Sequence, residues 1–190
     1  MQAIILAGGK GTRLKPYTTV FPKPLVPVDD IPILEIVIRQ LKYYGFKKVT
    51  MAVGHLAELI EAFFGNGKKW GLEITYSRED KPLGTAGPIS LVENLEDNFL
   101  IMNGDLLTTI DFKDLMENHK KSGAISSISI FNKEHKIELG ILELDKNNNL
   151  TDYIEKPTKI YPVSMGIYAF NKKILSYIPK NQHLDFPDLI

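Results

Sequence analysis

Hydrophobic residues in this chain fall into two patterns: short unbroken runs, and longer stretches where they recur every three or four positions. The runs at residues 3–7 and 99–102 read as buried strands, and residues 49–53 and 72–76 read as two more strands. Between the first two, Ile33, Leu34, Val37, Ile38, Leu41 and Tyr44 repeat with the period of a helix that buries one face. Gly45 stands where such a helix would be capped. Residues 56–64 form a second helical stretch, stopped by Gly65. Further along, the spacing predicts helical segments over 89–95, 112–121 and 172–178, and strands over 124–130, 139–144 and 162–170, with a polar turn at 145–149. Strand and helix alternate, which predicts an α/β fold with a mainly parallel sheet. Ligands of such sheets lie outside the carboxyl ends of the strands.

The stretch after residue 7 lies at such an end. Gly8, Gly9 and Gly11 follow the first run at once, with Lys10, Thr12 and Arg13 between and after them. Glycines there let the backbone turn sharply and present bare N–H groups, an arrangement suited to an anion. Charge supports this reading. The chain balances 23 basic against 23 acidic residues, yet residues 1–28 hold Lys10, Arg13, Lys15 and Lys23 and no acid. A phosphate site is therefore expected. Pro22 and Pro24 bracket Lys23, which predicts a stiff, extended backbone at that lysine.

Three later stretches carry weaker signals. Residues 81–88 read KPLGTAGP, whose small side chains would let a flat ring approach the backbone. Asn103-Gly104-Asp105 follows a central strand, where a carboxylate can hold Mg²⁺ against phosphate oxygens, although the same residues also mark plain turns. Glu155-Lys156-Pro157 pairs an acid suited to hydroxyls with a cation suited to phosphate, and Gly166 marks a bulge or close approach within a late strand.

Composition narrows the class. A chain of 190 residues is enough for one substantial domain with a single core. Zero formal net charge argues against a nucleic-acid binder that relies on a basic face. The absence of cysteine excludes disulfides, thiolate metal sites and cysteine nucleophiles. No signal peptide and no membrane span is legible, so a cytoplasmic protein handling a small anionic substrate is expected. His55, His119, His135 and His183 show no ligand spacing, and Trp70 reads as a core residue. No serine sits in a G-x-S-x-G nucleophile elbow.

The glycine loop is neither of two familiar kinds. A dinucleotide fingerprint would have glycine where Leu14 stands, and a P-loop would have Gly-Lys before Ser or Thr, whereas Gly11 precedes Thr12 and Arg13. The full pattern instead resembles the sugar-1-phosphate nucleotidylyltransferases: LAGGKGTRL and PKPL, then LGTAG at 83–87, NGD at 103–105, EKP at 155–157 and MGIYAF at 165–170. Five motifs in the family's order cover residues 3 to about 170.

That resemblance implies a doubly wound, Rossmann-like nucleotidyltransferase fold with helices on both faces, occupying residues 1–190 as one catalytic domain. It implies transfer of a nucleotidyl group from an NTP to a sugar 1-phosphate, giving NDP-sugar and pyrophosphate. Arg13 would contact the departing phosphates and Lys23 the transferred α-phosphate, while Asp105 would ligate Mg²⁺. Leu6, Ala7, Gly8, Gly9, Gly11 and Thr12 would contact the nucleotide, as would Leu83, Gly84, Thr85 and Ala86 near the base or sugar. Asn103, Gly140, Glu155, Lys156 and Gly166 would hold the sugar phosphate. The family's second metal-binding aspartate, in a W-x-D-x-G-like motif, falls beyond residue 190, so truncation at the C-terminus is expected. LGTAG with NGD looks most like the guanylyltransferase branch, which implies GTP and mannose 1-phosphate. Thymidylyl or uridylyl transfer to glucose 1-phosphate or to an amino-sugar 1-phosphate stays open. So do a non-catalytic regulatory subunit of the same fold and a homo-oligomeric assembly.

Overall fold

The computed structural model describes the backbone of residues 1–190 and every side chain except that of Arg13. In chain order the strands and helices are β1 (Gln2–Leu6), β2 (Pro27–Val28), β3 (Ile31–Pro32), α1 (Ile33–Tyr43), β4 (Lys48–Val53), α2 (Ala57–Phe64) and β5 (Glu73–Arg78). They continue with β6 (Asn98–Asn103), α3 (Phe112–Ser122), β7 (Ser126–Lys136), β8 (Ile141–Leu144), β9 (Leu150–Ile154), β10 (Thr158–Asn171) and α4 (Phe186–Leu189). Short 3-10 turns join several of them. The chain divides into two compact units, Met1–Ser127 with Gly166–Ile190, and Ile128–Met165.

The first unit is organised by a sheet of order β5-β4-β1-β6-β10-β7. β5, β4, β1 and β6 run parallel, and β10 pairs antiparallel with β6. Because successive side chains on a strand point to opposite faces, each strand feeds two cores. Ala3, Ile5, Val49, Met51, Leu100 and Met102 pack on one face with Leu34, Val37 and Ile38 of α1, Ile60 of α2 and Phe112 of α3. Leu34, Val37 and Ile38 are among the predicted periodic residues, and all five of these helix residues are fully buried. The alternate positions Ile4, Phe99, Ile101 and Phe170 are buried too. On that side the rings of Phe99 and Phe170, and of Tyr168 and Phe186, pack together, the latter pair with centroids 4.2 Å apart.

The mainly parallel sheet with flanking helices is therefore as expected, and Gly45 (φ +83°) closes α1. Some boundaries differ. Residues 89–95 do not make a helix: a 3-10 helix runs only over Gly87–Leu91, and Val92 is already extended. Asn94 then takes a left-handed conformation (φ +54°), which ends any helical repeat. Residues 172–178 are likewise 3-10, over Lys172–Tyr177. Trp70 is half-buried at the edge of the core, packed against Phe63 and Phe64, rather than inside it. Among the described residues no helix is long and apolar enough to cross a membrane.

The second unit holds β8 paired antiparallel with β9, together with parts of β7 and β10. Asp145 orders the intervening turn by accepting from the amides of Asn147 (2.7 Å) and Asn149 (2.9 Å). None of its apolar residues is fully buried, and Phe131, Leu139, Leu142 and Leu150 are exposed. So short a segment has too little interior for a core of its own.

Candidate active site

In the first unit, β1 lies between β4 and β6. The chain leaves β1 toward β4 and later returns to β6, so the order reverses beside β1 and opens a crevice at the carboxyl ends of β1 and β6. The two strands are in register there: Leu6 sits opposite Asn103, and the Gly104 amide donates to the Leu6 carbonyl at 2.9 Å. The glycine loop and the Asn103-Gly104-Asp105 turn are thereby neighbours.

The glycine loop has specific uses for two of its glycines. Gly11 is left-handed (φ +58°), and its carbonyl accepts from the Leu14 amide (2.9 Å) and the Thr18 hydroxyl (2.8 Å). A Cβ on Gly11 would lie 2.9 Å from Thr18 Cγ2. Gly9 is different, since nothing lies within 4 Å of where its Cβ would be. Thr12 begins the 3-10 turn Thr12–Leu14, whose Arg13 side chain is outside the described residues. Leu6 and Ala7 complete the strand end, with the Ala7 amide donating to Ala52 at 2.8 Å.

Lys23 is not on extended backbone. It opens a 3-10 turn, Lys23–Leu25, in which Leu25 donates to Pro22 and Val26 to Lys23. Pro24 suits that turn because a first-turn residue has no helical acceptor for an N–H and proline's φ is already helical. Burial of Pro24 and Leu25 anchors it. The ammonium of Lys23 forms an ion pair with the Asp105 carboxylate. This joins residues 82 positions apart and puts one cation and one acid beside the glycine loop, both partly open to solvent.

The profile of the family described as nucleotidyl transferase matches residues 2–188. The chain belongs to the nucleotidyl transferase family. It is 33% identical over its whole length to the UTP–glucose-1-phosphate uridylyltransferase of Synechocystis, covering 55% of that protein. With the mannose-1-phosphate guanylyltransferase catalytic subunit beta of Drosophila melanogaster it shares 35% identity over 93% of this chain and 50% of the relative. The chain thus spans about half the length of these curated relatives. Among solved structures, HddC from Yersinia pseudotuberculosis superposes with a TM-score of 0.73 at 26% identity, over 97% of this chain and 82% of that one. The family resemblance read from the five motifs is borne out.

In this nucleotidyl transferase chain, residues 83–87 are folded for a reason their composition does not announce. Leu83, Ala86 and Gly87 are buried. The Leu184 carbonyl accepts from the amides of Ala86 (2.9 Å) and Gly87 (3.0 Å), and the Leu184 amide donates to Leu83 (3.0 Å). A Cβ on Gly84 would stand 2.6 Å from the Leu184 oxygen, and one on Gly87 2.5 Å from that of Gln182. The close approach these small residues permit is that of the chain's own backbone.

Glu79, one residue past β5, carries no motif and was missed in the sequence. Its carboxylate accepts from the Leu83 amide at 2.9 Å and lies over Gly8 and Gly54, where a Cβ on either would collide with or crowd it. The legible signal is an acid at the carboxyl end of a parallel strand. At Asn103 the side-chain amide faces Gly166, whose φ of +70° and missing Cβ leave it room.

The remaining predicted residues lie in the second unit. Gly140 has no side chain where the Tyr153 ring passes, and Tyr153 donates its hydroxyl to Glu155 at 3.0 Å. Lys156, left-handed at φ +44°, stands with its ammonium 3.9 Å from the Glu155 carboxylate. Both are more than half exposed. Among the described residues no group of three or more His, Asp or Glu side chains could hold a metal by itself. A cavity of about 630 Å³ is lined by Lys48, Thr50, Glu73, Thr75 and their neighbours, and includes none of the candidate residues.

Proposed function

We propose that the chain transfers a nucleotidyl group from an NTP to a sugar 1-phosphate, releasing pyrophosphate. The observation that carries this is the Lys23–Asp105 pair at the crevice between β1 and β6, beside a glycine loop whose Gly9 leaves open space. A sugar phosphate is an anionic nucleophile at neutral pH, so no general base is required. Catalysis is then alignment in line with the α-phosphate and neutralisation of charge on the departing oxygens.

In this reading the backbone of residues 8–12 cradles the phosphates, with Leu6 and Ala7 flanking them. Lys23 binds the α-phosphate in the transition state, Arg13 the pyrophosphate, and residues 83–86 flank the base or its ribose. Asn103 and Gly166 are the first unit's candidates for the sugar phosphate, and Gly140, Glu155 and Lys156 are the second unit's own. Both units belong to one catalytic domain.

Mg²⁺ fits the donor set, because this ion is held by one or two carboxylates plus substrate phosphates and water rather than by an all-protein cage. Asp105, partly exposed and already balanced by Lys23, would hold it. The ion supplies charge neutralisation on the phosphate oxygens. Exchange of the lysine's partner from Asp105 to substrate is this chain's own contribution.

GTP with mannose 1-phosphate is the preferred substrate pair. Guanylyltransferases recur among the relatives, and the acceptor-only carboxylate of Glu79 complements guanine, which presents adjacent N1–H and N2–H donors. Uracil and thymine offer one N–H between two carbonyls, which a carboxylate repels. UTP with glucose 1-phosphate is the second reading, favoured by the Synechocystis relative that matches the whole chain. A cytoplasmic enzyme without nucleic-acid or membrane partners is consistent with both.

The test is pyrophosphate release with Mg²⁺, crossing GTP, UTP, dTTP, CTP and ATP with mannose and glucose 1-phosphates. Release with GTP and mannose 1-phosphate is expected. Silence in every combination from a chain that still binds nucleotide would favour the regulatory-subunit reading.

A further inference from the structure

The segment 181–186 grips the loop 83–87 more closely than a passing chain requires. Asp185 Oδ1 accepts from both the amide (2.8 Å) and the hydroxyl (3.0 Å) of Thr85. The same hydroxyl oxygen accepts from the Phe186 amide at 2.9 Å. Leu184 pairs with Leu83, Ala86 and Gly87 through the backbone, and the Asn181 amide donates to Ser90 Oγ at 3.2 Å. Phe186 fixes the segment to the sheet by stacking on Tyr168. The far side of the loop is held by Glu79, which also touches the glycine loop at Gly8. One chain of contacts therefore runs from Asp185 through Thr85 and Leu83 to Glu79 and the glycine loop.

We propose that Asp185, acting through Thr85, is a positioning residue for the nucleotide site. It reaches no reacting atom in this assignment. It fixes the loop 83–87 at one height above the carboxyl ends of the strands, and Glu79 carries that height to the glycine loop. A preformed loop spares the nucleotide the entropic cost of ordering it. The inference rests on the nucleotide-binding reading given above. Thr85 holds the Asp185 carboxyl below its ordinary range, first through the amide and then through the hydroxyl, with His183 adding to the effect. The lock is therefore closed at neutral pH.

Three variants test it: Asp185→Ala, which removes the acceptor; Asp185→Asn, which keeps an acceptor oxygen; and Thr85→Val, which removes only the hydroxyl arm. Binding of GTP and UTP is measured by calorimetry, and amide hydrogen exchange is followed across 83–87. Asp185→Ala is expected to weaken nucleotide binding about tenfold, the scale of losing hydrogen bonds to a charged acceptor. Exchange should accelerate at 85–87 and not in α1 or α2, and the KM for sugar 1-phosphate should move far less than that for NTP. Asp185→Asn should recover most of the lost affinity, and Thr85→Val should fall between. Wild-type protein that binds nucleotide, with Asp185→Ala matching it within about twofold at unchanged exchange, overturns the proposal alone. Equal loss for both substrates with general loosening also overturns it, in favour of a purely structural role. Wild-type protein that binds no nucleotide overturns the underlying reading with it.

Discussion

Two glycine-rich loops stand at the carboxyl ends of the parallel strands, and they use the same residue type in opposite ways. Around Gly9 the space a side chain would fill is empty, and Lys10, Thr12 and Tyr17 are exposed. At Gly84 and Gly87 the space is already taken by the carbonyls of Leu184 and Gln182. At Gly9 the first loop leaves room, whereas at Gly84 and Gly87 the second has had its room filled. Glycine in a loop thus marks a close approach without saying what approaches. Gly9 leaves space that a ligand could enter; Gly84 and Gly87 serve the packing of the loop against segment 182–185.

The contrast can be broken most sharply at Lys23. Lys23→Ala should lower transfer roughly 100- to 1,000-fold, the scale of removing one preorganised charge from a transition state. Nucleotide affinity should change little, because the backbone of the open loop remains. Equal loss of binding and turnover in titration and steady-state kinetics would show that Lys23 anchors the ground state instead.

Next is Gly84→Ala, which should cost at least about 2 kcal/mol in urea unfolding, from a Cβ driven against Leu184 and a left-handed φ of +78°. A stable Gly84→Ala protein would mean that segment 182–185 yields easily and that the loop is not filled as described.

A titration remote from both loops serves as a control. His119 is buried, with Nδ1 2.8 Å from Ser127 Oγ and Nε2 without a hydrogen-bond partner among the described residues. Burial, and secondarily Lys120, lowers its pKa in the folded chain from the ordinary 6.5. The unfolded chain then takes up the proton first, so His119 contributes stability above about pH 6.5 that is lost as pH falls through the depressed folded value. His119→Gln should flatten that part of the pH–stability profile measured by urea unfolding. An unchanged slope would assign the pH dependence elsewhere.

The smallest expected effect on stability is that of Gly9→Ala, within about 0.5 kcal/mol, because the added methyl meets nothing. Its cost should appear in nucleotide affinity instead. A folded, fully binding Gly9→Ala protein would remove the open loop from the site.

Much of this was legible in the chain itself. The apolar runs at 3–7 and 99–102, with the mostly apolar residues 49–53, became the three central parallel strands, because a strand covered on both faces reads as a nearly continuous apolar run. The 3.6-residue period of Ile33 to Tyr44 became α1 for the matching reason that a helix buries one stripe. The order of the motifs identified the family. Other features depended on which distant segments met. Lys23 finds Asp105 because β1 and β6 are adjacent in the sheet, although β6 starts 92 positions after Leu6. The residues 83–87 find Leu184 and Asp185, about 100 positions away, and nothing in LGTAG indicates that contact. Glu79 drew no notice, since one acid in Ser-Arg-Glu-Asp has no periodic or motif signal and its role exists only where three strand ends converge. Local pattern determines which backbone states and faces are favourable, because those depend on near neighbours along the chain. Partners across the sheet are chosen by topology and packing, and only the tertiary structure decides them.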